Sequence, residues 1–298
     1  MTRETVHDLA ASRSLTSTLA GAINAYIASG FMFGIRFRGG FFILSVSKSF
    51  SNILTCSMMF FWLTPTILAN QNLVSSSVNM VLSQLLLFGI YMQSNLTQCF
   101  LSINRFSTIG FLGVGKQKNT TLITVLAIFS SWFAAVIWTG LGFPECTCFF
   151  SAQTLTFRYL NECHVSNYQF QLYCTFVLNT ISNMLNTISF LIIVCGGAKY
   201  VSFTCRQPSR RKQRNARMFV QCYLQSLLLL LDVLLISSLH SETFGDILVA
   251  LPSFAYMALF DGLIMLFCNN DIQPACVAKK NLHKKSSVIS IAASDFRF

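Results

Sequence analysis

Charge is what this sequence has least of. Only 10% of its 298 residues are Asp, Glu, Lys or Arg, while 53% are hydrophobic and 29 are Phe. Soluble domains carry roughly a quarter charged residues, so an ordinary soluble fold is excluded, and so is a disordered chain. Proline (5) and glycine (15) are too few for collagen-like or low-complexity chains. Eleven Cys in 298 residues are too sparse for a disulfide scaffold, and most lie in apolar runs where a thiol packs as a small hydrophobe. The four His, at 7, 164, 240 and 283, fall outside those runs, and no HxxxH, HExxH or GxSxG spacing occurs. Neither a metal site nor a hydrolase elbow can be built from such a set, so no metal, cofactor or catalytic residue is expected.

What remains is a series of long apolar segments. A helix needs about 20 mostly apolar residues to cross the hydrocarbon of a bilayer. Seven runs of that order lie at 14–35, 41–66, 78–103, 120–142, 168–197, 218–239 and 246–268. The first, rich in Ser, Thr, Ala and Gly, suits a helix packed on neighbours better than one bathed in lipid. The expected fold is an all-α membrane protein, a seven-helix bundle over 14–268, with a short N-terminal segment at 1–13 and a basic tail at 269–298.

Orientation follows from Lys and Arg, which cytoplasmic loops retain. Seventeen basic residues lie in one set of alternate segments, whereas the other set holds only Arg3, Arg13 and Arg158 and six of the ten acids. The N-terminus is expected outside and the C-terminus inside, which requires an odd number of spans. No cleavable leader is visible, so the first helix is expected to act as a signal anchor. The net charge of +11 is then an inner-face excess that meets anionic lipid, and nucleic acid is not needed to explain it.

The polar residues inside the runs are ordered. Gln84, Tyr91, Asn95, Gln98, Ser102 and Arg105, with Phe88, recur at steps of three and four in the third run, which places them on one helix face. Asn179, Asn183 and Asn186 repeat the pattern in the fifth run, and Gln221, Gln225 and Asp232 in the sixth. In lipid such faces must turn toward other helices, as interhelical glue or as ligand contacts. Three ionisable groups fall within spans, Lys48, Asp232 and Asp261. Each left unpaired at mid-bilayer costs roughly 2.5–3.5 kcal/mol. Either Lys48 pairs with Asp261 or it snorkels to the inner headgroups along its apolar stem.

The segment between the fourth and fifth runs holds Cys146, Cys148 and Cys163 in a compartment where disulfides persist. Cys146 with Cys148 would be strained, so the expectation is Cys163 with either Cys146 or Cys148. No Cys stands at the entrance of the third run, so a bridge from that helix cannot form. The inner segment QPSRRKQRNAR, with Arg210, Arg211, Lys212, Arg214 and Arg217, serves topology and lipid attraction or docks an intracellular partner. A ligand pocket is expected where the polar faces converge, with Gln84, Tyr91, Tyr168 and Tyr256 as candidate contacts.

The run QCFLSINRF closing the third span, the PECTCFF segment with the later Cys163, FVQCYLQSLLLLLD opening the sixth span and FDGLIMLF in the seventh resemble the nematode serpentine receptors of class x. These are seven-helix chemoreceptors of the G-protein-coupled type. The resemblance runs from about Gly21 to about Asp271, with GAIN similar to that family's Gly and Asn pair in helix one. It implies a chemosensory receptor in the plasma membrane of a sensory cell, with a small chemical as ligand and a heterotrimeric G protein as partner. It also implies that Arg105 engages the G protein. Asn104 stands where many receptors carry an acid, Asp261 and Gly262 where many carry Asn-Pro, and Trp132 resembles the Trp of helix four. The sixth span has no Pro hinge. A secondary transporter is the alternative, but no internal repeat supports it. A retinal protein is excluded because the seventh span has no Lys for a Schiff base.

Overall fold

The computed structural model of the protein describes residues 3–33, 40–110, 120–140, 147–159, 163–200, 209–238 and 244–268. Among them are seven helices: α1 (Arg3–Phe33), α2 (Gly40–Ala69), α3 (76–110), α4 (Thr120–Gly140), α5 (Cys163–Tyr200), α6 (Ser209–Ser238) and α7 (Phe244–Cys268). A hairpin of β1 (Cys148–Ser151) and β2 (Thr156–Tyr159) separates α4 from α5. The seven-helix bundle matches the expectation from the seven apolar runs. Four stretches, Gly40–Ala69, Leu122–Gly140, Gln169–Ile192 and Arg217–Leu235, are long and apolar enough to cross a membrane by composition alone. In α1 and α3 the inward polar residues dilute the apolar content.

Helices outrun the apolar runs at several ends. α1 begins at Arg3, so the segment read as an N-terminal flank is its first turns, and Arg13 lies buried on its packed face. α6 begins at Ser209, which makes most of the basic inner segment helix rather than loop. Hydropathy marks where lipid begins, whereas helix hydrogen bonding continues until the backbone is interrupted, and Pro208 directly precedes α6.

The bundle is polar inside and apolar outside. In α4, Leu122, Ile123, Leu126, Phe129 and Phe133 are exposed while Thr124, Ser131 and Ala135 are buried. That inversion is stable only where hydrocarbon is the solvent, because small and polar side chains there bind helix to helix. At Gly89 of α3 an added Cβ would run into the Thr139 hydroxyl of α4 and lie 3.1 Å from the Ala135 carbonyl, so the crossing requires glycine.

Among the described residues, two π turns interrupt the long helices. In α2 the turn Met59–Leu63 precedes Pro65, which has no N–H to give; the Thr64 amide and, at 2.8 Å, its hydroxyl both donate to the Met59 carbonyl. In α3 the turn Leu85–Ile90 sits beside the close α4 crossing.

The hairpin is tied to the α3 entrance without a disulfide. Asn79 Nδ2 donates to the Phe150 carbonyl at 2.8 Å, and the Phe150 amide donates to Ser83 Oγ at 3.0 Å. The Phe150 ring is fully buried against Trp62 and Phe157, in a cluster with Met59, Leu63 and Leu155. Leu155 adopts φ 56°, an unusual backbone for a leucine, and its side chain is buried in that same cluster.

Candidate functional site

The residues of the α3 stripe all turn inward. Gln84, Phe88, Tyr91, Asn95, Gln98, Ser102 and Arg105 are buried, and so are Asn179 and Asn186 of α5 and Gln221, Gln225 and Asp232 of α6. Steps of three and four in sequence thus become three facing polar surfaces along one axis.

At mid-bundle stands an ion pair. Lys48 Nζ lies 2.9 Å from Asp261 Oδ1 and donates to Gln98 Oε1, while Asn52 Nδ2 donates to Asp261 Oδ2 at 2.7 Å. Of the two readings of Lys48, pairing holds. Asn52 also donates to Asn24 Oδ1 at 3.0 Å, and Asn24 Nδ2 reaches the Ala258 carbonyl at 3.0 Å. Gly262 permits that approach, since a Cβ there would come within 2.9 Å of Asn24 Nδ2.

From the ion pair the network runs to α5 and α6. Gln98 Nε2 donates to Ser226 Oγ at 2.9 Å and to the Cys222 carbonyl at 3.0 Å. Asn186 Nδ2 donates to Ser226 Oγ at 3.0 Å and to Ser102 Oγ at 3.2 Å, and Ser182 shares hydrogen bonds with Ser102 and with Ser226. Trp132 Nε1 of α4 donates to Ser47 Oγ at 3.0 Å. Side chains of α1, α2, α3, α5, α6 and α7 therefore share one buried polar system, while α4 is tied separately through Trp132 and Ser47 to Gln93 of α3. Asn52, Ser182 and Ser226 were not singled out in the sequence, and Asn24 only as the Asn of the GAIN resemblance. Asn52 stands one helical turn after Lys48 and Asn24 lies in GAIN, but a lone Asn or Ser in an apolar run carries no mark of its partner.

Toward the hairpin end, Tyr91 donates its hydroxyl to Asp232 Oδ2 at 3.0 Å, and both line a cavity of about 40 Å³ with Ser51, Asn52, Ser94 and Phe254. Toward the opposite end, Arg105 is buried with its guanidinium 3.8 Å over the Phe41 ring of α2, and it reaches the Cys222 thiol of α6. Stacking on Phe41 thus holds Arg105 where a neighbouring acid is absent.

The remaining sequence candidates scatter. Gln84 faces an open groove of about 480 Å³ between α3 and α4, away from Tyr91's cavity. Tyr256 is exposed on the outside of α7. Tyr168, Arg210, Arg211, Lys212 and Arg214 lie on described helices, but their side chains fall outside the described residues. Arg217 is half-buried at the start of the apolar part of α6.

The chain matches the family described as serpentine type seven-transmembrane G-protein-coupled chemoreceptor Srx over residues 15–269. It belongs to that family. The receptor is accordingly an integral multi-pass membrane protein of the G-protein-coupled chemoreceptor type and not an enzyme. Squid rhodopsin shares its fold, with a TM-score of 0.72 at 13% identity, covering 89% of this chain and 77% of the squid chain. None of the curated proteins matches the receptor in sequence.

Within this receptor, Cys148 is buried in β1 with a free thiol, and burial pushes that thiol up to about 12. Cys146 and the side chain of Cys163 lie outside the described residues. Of the two pairings considered for Cys163, the one with Cys148 is therefore not formed in the structure.

Proposed function

We propose that the receptor binds an external small chemical and in response activates a heterotrimeric G protein, in the plasma membrane of a sensory cell. The hairpin end faces outside and the Arg105 end faces the cytoplasm, as the Lys and Arg asymmetry requires. The observation that carries this reading is the buried polar system joining six of the seven helices between the Tyr91 and Asp232 cavity and Arg105.

Such a system has discrete hydrogen-bond arrangements rather than a continuum of them. A ligand that fits one arrangement better shifts the population toward it. The cytoplasmic consequence is a cleft between α3 and α6 in which Arg105, released from Phe41, meets the G protein. Arg210, Arg211, Lys212, Arg214 and Arg217, in the cytoplasmic extension of α6, contribute to docking the G protein. Cys163 pairs with Cys146 across the outer segment.

The test is expression with an N-terminal epitope tag on intact cells, with a G-protein activity reporter and a broad panel of small chemicals. The tag is expected at the surface, and Arg105→Ala is expected to abolish the response at unchanged surface level. An unaltered response in that variant would remove Arg105 from the coupling role. A silent receptor that moves a solute into vesicles would make it a transporter.

A further inference from the structure

Asp232 is the second buried acid of the bundle, and unlike Asp261 it faces no cation among the described residues. Its carboxylate accepts hydrogen bonds from the Tyr91 hydroxyl at 3.0 Å and from the Ser253 hydroxyl. Both donors are neutral. They orient the carboxylate and leave its charge uncompensated in a low-dielectric interior, a situation proteins otherwise resolve by pairing.

The cavity beside it supplies both the room and the chemistry. Its volume of about 40 Å³ is lined on the polar side by Ser51, Ser94 and Tyr91 and on the apolar side by Leu229, Phe254 and Met257. At roughly 10–15 Å³ per water, such a space holds about three waters, or one ammonium head with a carbon or two behind it. A separate observation points to a missing occupant. The Ser51 hydroxyl, on the cavity wall and only 1% exposed, has no hydrogen-bond partner. A buried hydroxyl without a partner is uncommon and marks a place where a polar partner belongs.

We propose that this cavity receives the protonated primary amine of the receptor's ligand. The ammonium donates one N–H to the Asp232 carboxylate and a second to Ser51 Oγ, with Ser94 Oγ in the wall for the third. The first carbons of the ligand lie against Leu229 and Phe254. A quaternary ammonium has no N–H to give and is too bulky, and a neutral alcohol does not compensate the charge. This inference rests on reading the chain as a ligand-activated receptor, and it names the chemical class that activates it.

The test is the thermal unfolding midpoint of the purified full-length receptor with n-butylammonium as probe, against n-butanol, tetramethylammonium and sodium chloride at matched concentration. Butylammonium is expected to raise the midpoint saturably and the other three are not. Asp232→Asn is expected to weaken the butylammonium effect at least tenfold, and Ser51→Ala three- to tenfold. Should Asp232→Asn fail to reach the membrane, the Ser51→Ala titration decides alone. No shift with butylammonium, an equal shift with sodium chloride, or full retention in the folded variants would overturn the proposal. The readout needs no G protein. A receptor that signals to neutral chemicals but ignores butylammonium therefore sinks only the amine site, whereas butylammonium binding without any coupling sinks only the receptor reading.

Discussion

Lys48 and Asp261 sit where a charge has no water to turn to, and the residues around them explain why both are tolerated. Desolvating two ions costs several kcal/mol each, which mutual attraction offsets only when the remaining donors and acceptors are also occupied. Here Gln98 accepts from Lys48, and Asn52 donates to the second carboxylate oxygen of Asp261. Removing one partner leaves a buried, uncompensated charge, so Lys48→Met or Asp261→Asn alone should cost about 3–5 kcal/mol and deplete the receptor from the cell surface. Exchanging the two, Lys48→Asp with Asp261→Lys, should restore much of the loss in a surface-tag assay; a double variant as poor as either single one would refute the pairing. Cys148 illustrates burial without pairing. With its thiol held at about 12, only about one molecule in ten thousand is thiolate at pH 8. Alkylation by iodoacetamide should be negligible in the folded receptor at pH 8, should rise as pH approaches 12, and should become fast on unfolding. Labelling of Cys148 that instead required prior reduction would place it in a disulfide.

At the scale of elements, the link between the hairpin and α3 shows what replaces a covalent tether. Asn79 and Ser83, one turn apart on α3, hold the backbone of Phe150 through its amide and its carbonyl. Asn79→Ala leaves a buried carbonyl without its donor, at about 1–3 kcal/mol. The hairpin should then exchange its amide hydrogens about one to two orders of magnitude faster than in the parent, with α4 and α5 unchanged. This contact was beyond sequence reading, because Asn79 lies in a polar stretch that advertises only a helix start. The seven helices and the inward faces of α3, α5 and α6 were readable, and the Lys48 and Asp261 pair was one of two readings that only the structure separates. Period 3.6 is a property of one segment, and the cost of a bare charge in lipid points to the nearest opposite charge. The π turns, the hairpin and the Ser226 junction depend on which segments meet, which no single segment encodes. Tyr256 misled for a related reason, since an aromatic at a helix surface suits lipid as well as a pocket.

Across the whole molecule, the buried network divides into a part that binds α1, α2 and α7 together and a part that binds α6 to α3 and α5. The first is anchored by an ion pair and by Asn24 and Asn52. The second converges on a single hydroxyl: Ser226 meets Gln98, Asn186 and Ser182. The α6 helix has no Pro in its described length to serve as a hinge. Any outward movement of its cytoplasmic half therefore proceeds by releasing this junction rather than by bending at a built-in kink. Each of these hydrogen bonds contributes about 0.5–1.5 kcal/mol, and once the hydroxyl is gone the freed amide donors can turn to neighbouring acceptors such as Asn186 Oδ1. Ser226→Ala should consequently weaken the resting arrangement by about 1–3 kcal/mol, which raises the ratio of active to resting receptor roughly 5- to 150-fold. In the reporter assay this appears as raised basal G-protein activity without added chemical, at normal surface level and with Arg105 still required. A variant with unchanged basal activity and an undiminished ligand response would show that α6 moves without breaking the junction, and would shift the pivot toward the Arg105 and Phe41 stack.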